Sequence, residues 1–141
     1  MTDISLSNKN VQYINMASRV TQADILDCLI NDDQLVFIVK KGQMGAAIGR
    51  KAKHLEKLRS MFKKSIKFVE LVDDKKQFVI NLFKPYNIEK VELKGDEKKP
   101  VARVKVKPGD KAKAIGKNGS NIETIRKLAS RHHNIKDVQI K

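Results

Sequence analysis

The sequence predicts an α+β fold made of two tandem domains, each with helices packed on a small three-stranded mixed sheet. Three observations lead to this prediction. The second half of the chain repeats the first, short apolar stretches alternate in the manner of strands, and each copy has a glycine-containing loop between two helical segments. We place the domains at 1–72 and 73–141. Because no flexible linker separates them, we expect a close, fixed arrangement of the two.

The internal repeat is the strongest of these signals. When the chain is shifted by 67 positions, residues 36–59 fall on residues 103–126, with eight identities in 24 positions and no gap. The identities concentrate around one Ala-Ile-Gly tripeptide, at 47–49 in the first copy and at 114–116 in the second. A match of this kind at constant spacing indicates two copies of one supersecondary unit.

The elements of the first copy are predicted from apolar periodicity and helix signals. Thr21, with Asp24 three residues later, resembles a capping box and predicts a helix over 21–30, in which Cys28 is a buried core residue. This assignment leaves the first copy one strand short of the second. The remaining elements are a strand at 35–39, a short helix ending at Ile48, a longer helix with an apolar stripe of Leu55, Leu58 and Phe62, and a closing strand at 66–72.

The second copy begins with a helix that Asp73 or Asp74 caps and that Pro85 stops. A strand at 88–93 and a strand at 102–106 form a hairpin, since polar turn residues separate them. The remaining elements are a short helix ending at Ile115, a helix with a stripe of Ile122, Ile125, Leu128 and Ala129, a turn containing His132 and His133, and a strand at 138–140.

The charge distribution predicts a polyanionic partner. The chain has 30 Lys and Arg against 16 Asp and Glu, for a net charge of +14. Residues 31–72 sum to +6 and residues 96–141 to +8, so the excess lies in two blocks, each with one glycine loop. No apolar stretch is long enough to span a membrane, no signal peptide is visible, and the single cysteine suggests a reducing compartment. We therefore expect a cytoplasmic protein.

The loop of the second copy, at 116–119, has residue types suited to a phosphate backbone. Glycines permit positive φ and let a sugar-phosphate chain lie against the main chain, and the following helix directs free N–H groups and its dipole at the loop. We expect Ser120 or Asn121 to cap that helix or to hydrogen-bond to nucleic acid. The predicted contact residues are Lys111, Lys113, Ile115, Gly116, Lys117, Asn118, Gly119, Ser120 and Asn121.

The matching loop of the first copy is Gly49-Arg50-Lys51-Ala52, in which alanine replaces the last glycine. If that position needs φ > 0, the Cβ costs roughly 1–2 kcal/mol and holds a phosphate backbone further away. We therefore expect this site to bind either more weakly or by side-chain contacts alone. Its predicted contact residues are Ile48, Gly49, Arg50, Lys51, Ala52 and Lys53.

At these two loops the sequence resembles the KH (K-homology) family, whose signature is an Ile-Gly-x-x-Gly loop between two helices packed on a three-stranded sheet. The order of elements in 74–141 is similar to the type II arrangement found in prokaryotes. Two such domains without a linker resemble the KH pair of the NusA family, and most of all its stand-alone archaeal members. We expect the KH pair alone, without the N-terminal and S1 domains of bacterial NusA.

The resemblance implies single-stranded RNA as the partner and a role in transcription elongation, termination or antitermination on nascent RNA. It leaves contact with RNA polymerase or the transcription complex as an open question, and we expect a monomer without a cofactor or small-molecule substrate. The alternatives are a KH protein of ribosome assembly or RNA decay, a partly degenerate KH module that binds protein, and a helix-turn-helix DNA binder. The last predicts a reading helix in the major groove, whereas these helices follow a Gly-x-x-Gly loop.

Catalysis and metal binding are not predicted. The three histidines, His54, His132 and His133, are too few and too poorly spaced for a zinc site. Glu56 and Glu123 recur between the copies, but each lies three residues before an arginine on a helix, which indicates an ion pair rather than a general acid or base. We expect no enzyme activity.

Overall fold

The computed structural model describes residues 8–31 and 34–141. The chain divides into two compact units, Met1–Val72 and Asp73–Lys141. Residues 1–7, which belong to the first predicted domain, lie outside the described residues. Each unit has one three-stranded sheet with helices packed on it, as predicted.

The first unit has the order helix, two strands, two helices and strand. Its sheet has the order β1-β2-β3, with β1 antiparallel and β3 parallel to the central strand. The core of this unit lies between the sheet and the helices and includes Cys28, Leu35, Phe37 and Leu58. The elements are α1 (Asn8–Thr21), β1 (Ile25–Asn31), β2 (Gln34–Val39), α2 (Met44–Ile48), α3 (Lys53–Phe62) and β3 (Ser65–Glu70).

The predicted helix over 21–30 is wrong, because these residues form strand β1. A β-bulge between Ile25 and Asp27 places Ile25 and Cys28 on the same face of the sheet, opposite Val39 and Phe37. The resulting spacing of three residues imitates the period of a helix. Thr21 ends α1 instead of beginning a helix: its hydroxyl donates to Ala17 O at 2.7 Å and accepts from the N–H of Ala23 at 3.1 Å.

The second unit has the same order of elements as the first. Its sheet has the order β4-β5-β6, with β4 antiparallel and β6 parallel to the central strand. The predicted alternation of the central strand is confirmed, since Ala102, Val104 and Val106 are all buried. The elements are α4 (Lys75–Phe83), β4 (Ile88–Lys94), β5 (Val101–Val106), α5 (Lys111–Ile115), α6 (Ser120–His133) and β6 (Asp137–Ile140).

The predicted turn at His132 and His133 is wrong, because these residues form the last turn of α6. Their rings lie against Phe78 of α4, with centroids 6.1 Å and 5.0 Å from its ring. The helix ends one residue later at Asn134, which has φ 56° and donates through Nδ2 to Lys98 O at 2.8 Å. The aromatic contact therefore extends α6 through the two polar residues.

The cysteine is a core residue, as predicted. Cys28 is buried in the first unit, and burial, followed by the charge of Asp27, raises the pKa of its thiol to about 12. The thiol is therefore protonated at neutral pH and unsuited to nucleophilic chemistry.

No described helix has both the length and the apolar character needed to cross a bilayer. The longest of them, α1 and α6, have 14 residues each and place one polar face toward water.

The first turn of α4 offers a direct test of its predicted cap. Asp74 is the N-cap residue, and its carboxylate accepts from the N–H of Gln77 at 3.2 Å. We expect Asp74→Ala to lower the free energy of unfolding by about 1 kcal/mol, measured by urea denaturation. The exposed neighbour Asp73 is the control, and an equal loss in Asp73→Ala would show that net charge rather than capping is responsible.

Candidate nucleic-acid interface

The two glycine loops have the same backbone conformation, although only one has the final glycine. The first glycine has φ 80° and ψ 165° at Gly49, and φ 83° and ψ 169° at Gly116. The third position is left-handed at both Lys51 (φ 54°) and Asn118 (φ 55°). The fourth is left-handed as well, with φ 58° at Ala52 and φ 73° at Gly119. Each unit therefore places one connection of identical shape before its longer helix.

The first glycine of each loop lies too close to the following helix to accept a side chain. A Cβ at Gly116 would lie 2.8 Å from both the backbone N and the Cβ of Asn121. A Cβ at Gly49 would lie 2.8 Å from Nδ1 and 3.0 Å from the backbone N of His54. Glycine at this position is thus required by packing as well as by its positive φ.

The fourth position needs a positive φ but has space for a side chain. A Cβ at Gly119 would meet its nearest atom, Ile122 Cγ2, at 3.9 Å, which is an ordinary van der Waals contact. This explains how Ala52 is accommodated in the first loop. The left-handed conformation costs alanine about 1–2 kcal/mol relative to an unstrained backbone, so the first unit holds the loop shape against local strain.

The second residue after each loop fastens it to the preceding short helix. Asn121 Nδ2 donates to Ala114 O at 2.7 Å, and His54 Nδ1 lies 2.8 Å from Ala46 O, where its N–H tautomer donates. Of the two roles predicted for Ser120 or Asn121, the capping of α6 is wrong, since the N-cap is Gly119 and Asn121 bonds to α5, and the hydrogen bond to nucleic acid stays a prediction. Sequence reasoning missed this role of His54, and the signal for it was its alignment with Asn121 in the repeat.

The loops combine helix N-termini with exposed cations. The N-cap residues of α3 and α6 are Ala52 and Gly119, neither of which has a polar side chain to occupy the first N–H groups. Ile48 and Ile115, at the ends of the short helices, are half-buried. The predicted basic residues are all exposed: Arg50, Lys51, Lys53, Lys111, Lys113 and Lys117. Anions at these helix starts gain both dipole and side-chain stabilisation.

The recurring glutamates form the predicted ion pairs. Arg59 Nη1 lies 3.3 Å from Glu56 Oε1 in α3, and Arg126 Nη1 lies 2.6 Å from Glu123 Oε1 in α6. Each carboxylate is therefore occupied by an arginine three residues later on the same helix.

A cavity of about 480 Å³ lies in the first unit between α3 and the start of β3, and its lining begins at Leu55, about one helical turn after the loop at 49–52. Leu55 and Ile66 provide its apolar surface, and Arg59, Lys63 and Lys64 are the cations among its lining residues. Sequence reasoning did not identify this cavity, because its two walls come from different elements.

Comparison with known protein families gives two matches. Residues 75–141 match the NusA-like second KH domain. Residues 12–93 match the KH domain, a range that continues beyond Val72 into β4 of the second unit. Both glycine loops lie inside these matches.

Archaeal proteins named "Probable transcription termination protein NusA" are similar to the chain along nearly its whole length. The protein from Methanocaldococcus jannaschii is 31% identical over 140 residues, which is 99% of this chain and 76% of that protein. The protein from Halobacterium salinarum is 36% identical over 137 residues, covering 97% of this chain and 98% of that protein. The crystal structure of APE1850 superposes with a TM-score of 0.74 at 29% identity, covering 96% of this chain and all of that one.

The unequal roles of the two glycine positions predict unequal costs of substitution. We expect Gly119→Ala to lower the free energy of unfolding by about 1 kcal/mol, because strain exceeds the entropy gain. Gly116→Ala should cost about 2 kcal/mol or more, since its Cβ also meets the backbone of Asn121. Ala52→Gly should stabilise the protein by about 1 kcal/mol. Urea unfolding checks all three, and equal losses for the two glycines would contradict the packing argument.

Proposed function

Since the chain belongs to the KH-domain family and is NusA-like along its whole length, we propose that it binds single-stranded RNA through both glycine loops and acts in transcription on nascent RNA. KH-domain and NusA-like proteins are RNA-binding factors and not enzymes, in agreement with the expectation from the sequence. The proposed contact residues are those predicted at the two loops, at 48–53 and at 111–121.

The observation that supports this function most is the preserved shape of the first loop. Ala52 keeps the left-handed conformation of Gly119, and Lys51 that of Asn118, at a cost in local free energy. Strained backbone persists where the surrounding structure requires it, and such positions concentrate at functional sites. The two consecutive left-handed residues, Lys51 and Ala52, therefore agree with a functional role for this loop.

The geometry supports contact with the sugar-phosphate backbone. A phosphate at 116–119 would face the start of α6, whose first N–H groups have no capping side chain, with Lys117 beside it. Backbone contacts of this kind position the strand without reading its sequence. In the first unit, Arg50 and Lys51 provide the charge, and the Cβ of Ala52 holds the strand slightly further from the main chain.

The finer role rests on the names of the relatives, which are called probable transcription termination proteins. We propose elongation, termination or antitermination as the step concerned, and a contact with RNA polymerase or its complex. Ribosome assembly or RNA decay is the alternative, and the RNA crosslinked to this protein in cells would decide between them. A cytoplasmic location and a monomeric state remain predictions.

RNA binding is tested by comparing nucleic acids at several salt concentrations. We expect single-stranded RNA to bind more tightly than duplex DNA in fluorescence anisotropy, because the loops follow one flexible strand. The logarithm of the association constant should fall with the logarithm of salt concentration, with a slope of about 0.7 per phosphate contacted. Equal affinity for duplex DNA would exclude the proposed ligand.

The ranking of the two loops is tested by charge reversal. The double substitution Lys117→Asp and Asn118→Asp should weaken RNA binding by roughly tenfold to a hundredfold through repulsion of phosphate, without unfolding the protein. Arg50→Asp with Lys51→Asn changes the charge by the same three units and should have the smaller effect, because Ala52 already loosens that contact. Circular dichroism controls for folding, and a larger loss at the first loop would reverse the ranking.

A further inference from the structure

The two units differ in the groove between the longer helix and the last strand, as well as in the glycines of the loop. The unit with the incomplete loop has an open cavity between its longer helix and its last strand. In the unit with the complete loop, a side chain crosses the corresponding space.

The correspondence follows from strand register. Ser65 pairs with Gln34 and Asp137 with Val101, and these two partners are related by the repeat of 67 residues. Asp137 therefore occupies the position of Ser65, and by the same argument Val138 occupies that of Ile66. On the helices, the repeat aligns Arg126 with Arg59.

Arg126 spans the groove of the second unit from helix to strand. Its Nη1 is paired with Glu123 on α6, while its Nε lies 3.2 Å from Asp137 Oδ1 and donates to Val138 O at 3.0 Å. We call this set of contacts the arginine latch. Arg59 in the first unit pairs with Glu56 on its own helix. Ser65, which stands in the position of Asp137, has no carboxylate that could bind this arginine.

Burial agrees with this difference. The side chain of Arg59 is 64% exposed and that of Arg126 is 37% exposed. The apolar residues of the first groove, Leu55 and Ile66, are only half-buried. Their counterparts Ile122 and Val138 are 5% and 0% exposed, so they are covered and cannot contact a ligand.

We propose that the arginine latch makes the second unit a backbone clamp without base preference, and that base selectivity resides in the open groove of the first unit. This proposal rests on the proposed RNA binding. The ligand of the open groove is a nucleobase of the strand held at 49–52, about one helical turn before Leu55. It fits the apolar surface of Leu55 and Ile66, and the strand's phosphates match the cations at Arg59, Lys63 and Lys64.

A reciprocal exchange tests this division of roles. Asp137→Ser removes the carboxylate of the latch, and Ser65→Asp places one opposite Arg59. The probes are rA, rC and rU dodecamers, which have equal length and charge, so ratios of their dissociation constants cancel general electrostatic effects. Ser65→Asp should reduce these ratios by about threefold or more, and Asp137→Ser should alter them by a similar factor, as expected for one or two hydrogen bonds to a base.

Two controls separate the latch from other effects. Ser60→Asp adds the same charge to an exposed position of α3 outside the groove and should leave the ratios unchanged. NMR hydrogen exchange in the free protein should show a protected Arg126 Nε–H and an unprotected Arg59 Nε–H. Protection of Arg126 should fall in Asp137→Ser, which removes one of the two acceptors near that N–H and leaves Val138 O.

The outcomes distinguish the proposals. RNA binding with unchanged ratios in both exchanged variants, or an Arg126 Nε–H that exchanges as fast as that of Arg59, overturns the latch. Failure of the unaltered protein to bind any dodecamer overturns the proposed function and this inference with it.

Discussion

The close approach of one glycine to the following helix is the constraint on which both sites depend. At Gly116 a Cβ would lie 2.8 Å from the backbone N of Asn121, and at Gly49 it would lie 3.0 Å from that of His54. This contact folds the short helix back on the longer one, and the side chain of Asn121 then fastens the pair by its bond to Ala114 O. With the loop held in this way, the start of the longer helix faces solvent among exposed lysines, which suits it to bind an anion.

The two units share one fold, and two single-residue differences between them give them different properties. At the fourth loop position there is space for a Cβ, so Ala52 changes the free energy of the loop and the approach of a ligand without changing the loop's shape. At the first position of the last strand, Asp137 pairs with Arg126, whereas Ser65 offers Arg59 no carboxylate. In the proposed function the two units thereby present unequal surfaces, one with the stronger backbone contact and one open to a base.

Much of the fold was predictable from periodicity and repetition. The strands and helices of the second unit, the apolar stripes of α3 and α6, the Asp74 cap and both ion pairs follow from local spacing. The predictions failed where a tertiary contact changed a local pattern. The bulge at Ile25 gave strand β1 a helical spacing, and the contact of Phe78 with His132 and His133 extended α6 beyond the predicted turn.

The features of the candidate site also fall into those that local sequence predicts and those that depend on tertiary contacts. The loop residues, their charge and their placement before a helix are local properties, so the amino-acid sequence alone was enough to predict them. The bond of His54 to Ala46 O, the cavity beside Leu55 and the crossing of Arg126 to Asp137 join residues of different elements. Their distances depend on strand register and on the packing of helix against sheet, neither of which is encoded within a few neighbouring residues. Only the tertiary structure could decide, therefore, that the unit with the complete glycine loop is the one whose groove is closed.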